Sequence, residues 1–155
     1  ILLHVMAKED LGAGELNALL NKHSGLLGVS GLSNDMRKLL EAEAAGNERA
    51  RLAVDMFCYR LRKYIASYVG ALGGLDALVF TGGIGENAAA VRERSVAGLL
   101  AMGVAIDPAA NAEARGREAD VAPPGPGCRV LVIPTNEELL IARDTYRIVR
   151  GLPLA

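Results

Sequence analysis

The stretch Asp76–Asn87, DALVFTGGIGEN, decides the fold class of this chain. Its first half, Asp76–Thr81, is a short apolar run bounded by glycines, which is typical of a strand buried on both faces in a parallel or mixed sheet. We expect a helix to follow from about Asn87 to Ala101. The apolar residues that this helix would turn inward are Val91, Val96, Leu99 and Leu100. A strand, a glycine loop and a helix in this order predict an α/β protein.

The glycine loop Gly82–Asn87 is suited to a ligand that carries phosphate groups. Glycines let the backbone approach a ligand closely, and the N-terminus of the following helix presents unpaired N–H groups with partial positive charge. No Gly-Lys-Ser/Thr follows the glycines, so the loop is not a Walker loop. The residues therefore favour a nucleotide site of another kind.

Two other interpretations of the glycine loop remain open at this point. Gly83, Gly85 and Ala88 match the Rossmann pattern, and Asp107 follows about 20 residues later, after the next predicted strand, as NAD binding would require. Alternatively, the glycines form only a turn with tight packing of strand against helix. Spacing alone does not choose between ATP and NAD.

Beyond the loop, the sequence predicts further strands and a final helix. Val104–Ile106 and Arg129–Ile133 are apolar runs typical of strands. Between them, Ala122–Gly127 is rich in proline and glycine and predicts a surface turn, because proline lacks the N–H donor of a central strand. The closing helix spans Asn136–Arg150, and Pro134-Thr135-Asn136 marks its start. The second half therefore predicts a mixed sheet flanked by helices.

The first half predicts helices. Ile1–Lys8 and Gly14–Lys22 are two short ones, and Ser24–Asp35, rich in glycine and serine, predicts a structured loop. From Glu48 to Leu72 apolar residues recur at spacings of three and four, which predicts one long amphipathic helix that ends at Gly73.

Composition excludes several classes of function. The chain has 155 residues, 51% of them hydrophobic, and a formal charge of −1, which fits one globular domain and offers no basic block for nucleic acid. No apolar run approaches the roughly 20 residues that span a membrane, so we expect a cytoplasmic protein. Cys58 and Cys128 form no CxxC pair, which argues against a zinc site.

The opening at Ile1, inside an apolar helical pattern, suggests a fragment.

A second candidate site is Pro134–Glu138, again where a strand meets a helix. Its carboxylates could hold Mg²⁺, because hard cations prefer oxygen ligands. The same residues also form an ordinary helix cap, with Thr135 or Asn136 as N-cap and acidic residues in the first turn. The residues alone favour this capping interpretation over a metal site.

A third candidate site is Ser33–Arg37. The planar guanidinium of Arg37 could pair with phosphate or stack on a base. Capping is at least as good an interpretation, with Ser33 or Asp35 starting a helix toward Ala44.

Four motifs taken together resemble the acetate kinase family in order and spacing, and they cover nearly the whole chain. They are Asn21–Gly25, Gly31–Arg37, Phe80–Asn87 and Ile133–Glu138. Four motifs in register are far more specific than the glycine loop alone, and they reduce the Rossmann interpretation to a minor alternative.

The resemblance implies the ribonuclease H-like fold of the acetate and sugar kinase, heat-shock chaperone and actin superfamily, an actin-like ATPase fold in which two related domains close over a nucleotide. Residues 1–155 would be an incomplete C-terminal nucleotide-binding domain, with a mainly helical part at 1–75 and the strand–loop–helix core at 76–155. By similarity, the residues that would bind ATP or ADP are Asp35, Met36, Arg37, Gly83, Ile84, Gly85, Glu86 and Asn87. Glu137 would bind Mg²⁺.

The same resemblance implies the reversible transfer of the ATP γ-phosphoryl group to acetate, with acetyl phosphate and ADP as products. The acetate pocket and the arginine and histidine groups of the transition state are absent from this sequence, so we assign no catalytic residue here and expect the 155 residues alone to be inactive. Propionate or butyrate could replace acetate. Family members pair through this domain, so a homodimer is implied, and a non-catalytic dimerisation module is a further alternative.

Overall fold

The computed structural model of the chain describes residues 1–153 as a helix-rich α/β structure with one small sheet. The helices are α1 Leu2–Glu9, α2 Ala13–Lys22, α3 Gly25–Ser30, α4 Met36–Ala44, α5 Glu48–Leu72, α6 Gly82–Asn87, α7 Ala89–Val96, α8 Pro108–Glu113 and α9 Glu137–Val149. The strands are β1 Ala77–Phe80, β2 Ala119–Asp120 and β3 Arg129–Val132. A 3₁₀ turn spans Leu100–Met102.

The long helix α5 has the predicted bounds, and local signals set both ends. The side chain of Asn47 accepts a hydrogen bond from the amide of Ala50 at 2.9 Å, and Gly73 ends the helix in the left-handed conformation with φ 74°. The face that packs against α3, α4 and α7 carries mostly small residues. Large apolar side chains such as Met56 and Tyr68, 50% and 62% exposed, lie on its other faces.

The helix α3 occupies much of the segment predicted to be a loop, so that prediction is wrong there. Gly25 enters the helix with φ 62°, and Gly31 ends it with φ 66°. Gly28 lies inside it, and a Cβ at Gly28 would stand 2.9 Å from the carbonyl oxygen of His23. The glycines therefore start, pack and end a short helix instead of excluding one.

The sheet has the order β1-β3-β2 and is mixed, as predicted. β1 pairs with β3 in parallel, with Ala77 opposite Arg129 and Phe80 opposite Val132. β2 pairs with β3 antiparallel, with Ala119 opposite Val132. The carboxyl ends of β1 and β3 therefore meet at one edge, where the segments leading into α6 and α9 begin.

Two predictions about the strands are wrong. Val104–Ile106 forms no strand; Val104 is 1% exposed because it packs into the core, but it joins no ladder. The strand that follows α8 is β2 instead. β1 is not buried on both faces either, since Val79 is 47% exposed while Phe80 is 7% exposed. Successive side chains of a strand point to opposite faces, and along β1 only the face that carries Leu78 and Phe80 is covered within residues 1–153.

The helix predicted over 87–101 is interrupted. α6 already begins at Gly82, α7 ends at Val96, and Gly98 turns the chain with φ 84°. Val91, Val96 and Leu99 are buried as predicted, whereas Leu100 is 74% exposed because it lies beyond the turn.

Within residues 1–153 the core consists of two apolar clusters, and α5 contributes to both. The sheet cluster gathers buried side chains around β1 and β3, among them Ile65, Phe80, Val104, Val130 and Val132. The helical cluster gathers those of α4, α5 and α7: Met36, Leu39, Ala50, Ala53, Val54, Cys58 and Val91.

The closing helix α9 has nearly the predicted bounds, but it buries no residue within the described part of the chain. Its apolar residues Leu140 and Ile141 are 59% and 66% exposed. No helix within residues 1–153 is long and apolar enough to cross a membrane.

Candidate functional site

The candidate site lies where β1 ends. Thr81 is fully extended, with φ −147° and ψ 175°, and Gly82 then adopts φ 69°, which turns the chain from the strand directly into α6. A residue with a side chain would be strained at that angle. The predicted loop residues Gly83–Asn87 therefore lie in one short helix that follows the strand without a linker.

The glycines of α6 differ in their surroundings. A Cβ at Gly85 would stand 3.1 Å from the carbonyl carbon of Phe80 and 3.4 Å from its Cα, so Gly85 allows the helix to pack closely on the end of β1. A Cβ at Gly82 or Gly83 would have no atom within 4 Å. Tight strand–helix packing is therefore real at Gly85, while open space lies beside Gly82 and Gly83.

Glu86 joins α6 to the segment before α9. Its carboxylate accepts hydrogen bonds from the amide of Thr135 at 2.8 Å and from the hydroxyl of Thr135 at 3.0 Å. These bonds, the Thr135 amide foremost, together with the Gly82 amide, hold the pKa of Glu86 below its ordinary value. Asn87 bonds within α6, where its side-chain amide donates to the carbonyl oxygen of Gly83 at 3.0 Å. The second candidate motif thus contacts the glycine loop.

Asp35 and Arg37 lie at the start of α4, where the capping interpretation holds. The carboxylate of Asp35 accepts from the amide of Arg37 at 2.9 Å and pairs with its guanidinium at 3.1 Å. This pairing lowers the pKa of Asp35 and raises that of Arg37. The Arg37 side chain is 79% exposed. Met36 is 4% exposed and belongs to the helical cluster, against which Ile84 of α6 also packs. The starts of α4 and α6 therefore share one core.

Glu137 and Glu138 lie in the first turn of α9, and Asn136 caps that helix by accepting from the amide of Leu139 at 3.0 Å. Both carboxylates are exposed. Within residues 1–153 no three His, Cys, Asp or Glu side chains gather as a metal cluster. A single exposed carboxylate still fits the way proteins hold Mg²⁺ in nucleotide sites, where phosphates and water supply the other ligands.

Arg92 is a residue that the sequence reasoning missed. Its side chain is 1% exposed, and its guanidinium donates to the carbonyl oxygens of Gly85 and Glu86 at 2.8 and 3.0 Å. One signal was available: Arg92 lies four residues before Val96 and seven before Leu99, on the apolar face of the predicted helix.

Comparison with known proteins decides the family. The sequence model described as the Acetokinase family matches residues 1–143. The chain belongs to the acetokinase family. Acetate kinase of Heliobacterium modesticaldum is 53% identical over 147 residues, which are 95% of this chain and 36% of that relative. The chain thus spans little more than a third of the length of the curated relatives that it matches.

Two solved structures of similar sequence agree with the fold. The crystal structure of Porphyromonas gingivalis acetate kinase has a TM-score of 0.87 and 44% identity, covering 96% of this chain and 37% of that one. A propionate kinase from Francisella tularensis has a TM-score of 0.81 and 39% identity, covering 92% and 36%. The predicted fold class, part of an actin-like ATPase domain with a small mixed sheet flanked by helices, is therefore confirmed.

The Rossmann interpretation is wrong, because the structure of residues 1–153 lacks the second strand that it requires. It needs a strand at Val104–Ile106 to complete a β-α-β unit, and that segment is irregular. Asp107, the expected ribose ligand, instead caps α8 by accepting from the amide of Ala110 at 2.8 Å.

Proposed function

We propose that this chain is the nucleotide-binding C-terminal part of an acetate kinase, which transfers the γ-phosphoryl group of ATP reversibly to acetate. The observation that carries the proposal is the open space beside Gly82 and Gly83 at the carboxyl end of β1, in a chain of the acetokinase family. Ligands of α/β proteins bind beyond the carboxyl ends of the strands. We call the longer protein that would contain these residues the parent polypeptide.

The proposed nucleotide site combines α6 with the start of α4. Gly83, Ile84, Gly85, Glu86 and Asn87 would surround ATP or ADP, with backbone amides near its phosphate groups. Support comes from the absence of any atom within 4 Å of a Cβ at Gly83, which leaves room for a ligand against the backbone.

Asp35, Met36 and Arg37 would line the same pocket. Met36 belongs to the helical cluster and Ile84 packs against that cluster, which supports this because both segments rest on one core. Met36 is almost fully buried, so its contribution would come mainly from its backbone, while the exposed Arg37 guanidinium is available to phosphate or base.

Glu137 would hold Mg²⁺, which neutralises charge on the phosphate oxygens when bound. Its carboxylate is exposed, and the segment before α9 is tied to α6 through Glu86 and Thr135. That tie supports a shared site for nucleotide and metal.

The proposed chemistry requires alignment more than a covalent nucleophile. The bond from the γ-phosphorus to the β–γ bridging oxygen breaks, and an acetate carboxylate oxygen bonds to that phosphorus, giving acetyl phosphate and ADP. In this part of the protein the residues would bind and orient the nucleotide. The acyl pocket and the transition-state groups would lie in the rest of the parent polypeptide. That polypeptide would have two domains, and the present chain would be an incomplete C-terminal domain. Residues 1–75 would form its helical part and residues 76–155 its strand–loop–helix core.

A coupled assay tests the proposal. The parent polypeptide should form acetyl phosphate from ATP, Mg²⁺ and acetate, and it should bind Mg-ADP but not NADH in titration calorimetry. The isolated 155 residues should form none. Parallel assays with propionate and butyrate identify the preferred acid. NADH binding without ATP turnover would refute the proposal.

We also propose that the parent polypeptide is a cytoplasmic homodimer with no nucleic acid or membrane partner. The exposed apolar side chains of α5, among them Leu52, Met56, Tyr64 and Tyr68, offer a face for pairing. Sedimentation at high concentration should give twice the monomer mass, and a monomer would count against this face. A dimer without ATP turnover would favour the non-catalytic dimerisation module instead.

A further inference from the structure

A buried arginine supports the glycine loop from behind. Arg92 of α7 is the largest fully buried side chain within residues 1–153, at 1% exposed. Its guanidinium makes five hydrogen bonds, and every acceptor is an amide or carbonyl oxygen. Nε and Nη2 donate to the side-chain and backbone oxygens of Asn111, each at 2.7 Å, Nη2 also donates to Ala114 at 2.8 Å, and Nη1 donates to Gly85 and Glu86 at 2.8 and 3.0 Å.

The acceptors belong to the C-terminal ends of two short helices. Gly85 and Glu86 lie in the last turn of α6, while Asn111 and Ala114 lie at the end of α8. Carbonyl groups at helix ends lack partners within the helix and carry partial negative charge, so a guanidinium satisfies both needs at once. Arg92 therefore ties α6 to α8 through backbone atoms.

The burial of this charge is costly without a counter-ion. Burial lowers the pKa of Arg92, and the nearby positive charge of Arg115 lowers it further. No carboxylate within residues 1–153 pairs with the Arg92 guanidinium. An apolar side chain could fill the space without that cost, but it could not hold four carbonyl groups at fixed positions.

Two of the held carbonyl groups, those of Gly85 and Glu86, belong to the segment proposed to surround the nucleotide. Glu86 is fixed on one side by Arg92 and on another by its carboxylate bonds to Thr135. The amides of Gly83–Glu86 can align with phosphate groups only if this short helix keeps its place, because small misplacements in a phosphoryl-transfer site cost large factors in rate.

We infer that Arg92 is a positioning residue for the phosphate groups of the bound nucleoside triphosphate, acting through the backbone of Gly85 and Glu86 without contact with the ligand. This inference rests on the proposed function. It assigns to a buried side chain a specific effect on nucleotide binding, beyond its effect on folding.

The test compares variants of the parent polypeptide in the acetyl phosphate assay. Arg92→Met removes all five donors, while Arg92→Lys keeps up to three. The expected result is a KM for ATP raised by roughly 10- to 100-fold in Arg92→Met and less in Arg92→Lys, with the KM for acetate within about twofold of the wild type.

Arg94→Met is the matched control. Arg94 lies on the same helix but pairs with Glu43 at 2.8 Å and Asp55 at 3.3 Å, so it ties α7 to α4 and α5. Within residues 1–153 its side chain makes no hydrogen bond to α6. This variant should lower the melting temperature and leave the KM for ATP unchanged.

If Arg92→Met fails to fold, Arg92→Lys and Asn111→Ala decide, because each weakens the network partially; both should raise the KM for ATP selectively. Folded variants with wild-type KM for ATP, or with the KM for ATP and acetate raised equally, would overturn the inference while the proposed function stands. A wild-type parent polypeptide that forms no acetyl phosphate would refute both.

Discussion

Replacement of Gly85 by alanine should destabilise the protein, whereas the same change at Gly83 should not. The new methyl group at position 85 would stand 3.1 Å from the carbonyl carbon of Phe80, which is closer than ordinary van der Waals contact. Phe80 cannot easily retreat, because it is 7% exposed, pairs with Val132 in the sheet and accepts a hydrogen bond from the amide of Ile133 at 2.9 Å.

The magnitude follows from two opposing effects. Overpacking of this kind costs about 1–3 kcal/mol. Alanine in place of glycine in a helix stabilises by up to about 1 kcal/mol. The net destabilisation of Gly85→Ala should therefore be about 1 kcal/mol. A Cβ at position 83 would have no atom within 4 Å, so Gly83→Ala should show only the stabilising effect of alanine in a helix.

Thermal denaturation of the parent polypeptide measures the change in stability, and steady-state kinetics measures the change in the KM for ATP. Gly83→Ala should keep or raise the melting temperature but raise the KM for ATP about tenfold or more, because the methyl group enters the proposed phosphate site. Gly70→Ala is the control, since position 70 lies in α5 with no atom within 4 Å of its Cβ. A Gly85→Ala variant as stable as Gly83→Ala, or a Gly83→Ala variant with wild-type KM for ATP, would refute the reasoning.

Three further predictions concern stability. Leu39→Ala should lower the free energy of unfolding by about 2–5 kcal/mol because Leu39 is fully buried. Leu100→Ala should change the free energy of unfolding by less than about 0.5 kcal/mol because Leu100 is 74% exposed. Urea denaturation measures both changes. Asn47→Ala should cost about 1 kcal/mol by removing the N-cap of α5, and helicity unchanged at elevated temperature would contradict this. The folded-state pKa of Glu86 is lowered, so its stabilising bonds to Thr135 should be present above its ordinary pKa of about 4.3 and be lost as pH falls through the lower folded value. The melting temperature should fall below about pH 4 in the wild type more steeply than in Glu86→Gln, and parallel curves would contradict the assignment.

Local signals in the sequence predicted the elements that local interactions define. The ends of α5 follow from the acceptor at Asn47 and from the freedom of Gly73, and α9 starts beside the Asn136 cap as expected. β3 and the mixed character of the sheet were also predicted, because a buried apolar run leaves few other choices.

Tertiary contacts decided the elements that were predicted wrongly. Val104 is apolar because it packs in the core, not because it pairs in a sheet. The two residues of β2 are too few to form a recognisable pattern, and their pairing depends on β3. Glycine is needed at position 28 of α3 because the carbonyl oxygen of His23 would stand 2.9 Å from a Cβ there, and this contact is not visible in the sequence.

The candidate site was predicted in its parts but not in its connections. The glycine stretch Gly82–Gly85 is recognisable because three glycines stand between a predicted strand and a predicted helix. The bond from Thr135 to Glu86 joins residues 49 positions apart, and the bonds of Arg92 to Asn111 join residues 19 positions apart. No local pattern marks such pairs.

The central claim is that backbone amides after β1 face the phosphate groups of a nucleotide. Titration of Mg-ADP into the parent polypeptide labelled with ¹⁵N-glycine tests it directly, with signals assigned by single glycine-to-alanine variants. The amide signals of Gly83 and Gly85 should shift saturably with Mg-ADP and little with adenosine, which has no phosphate. Unshifted signals of both glycines at a Mg-ADP concentration that calorimetry shows to be saturating would contradict the account.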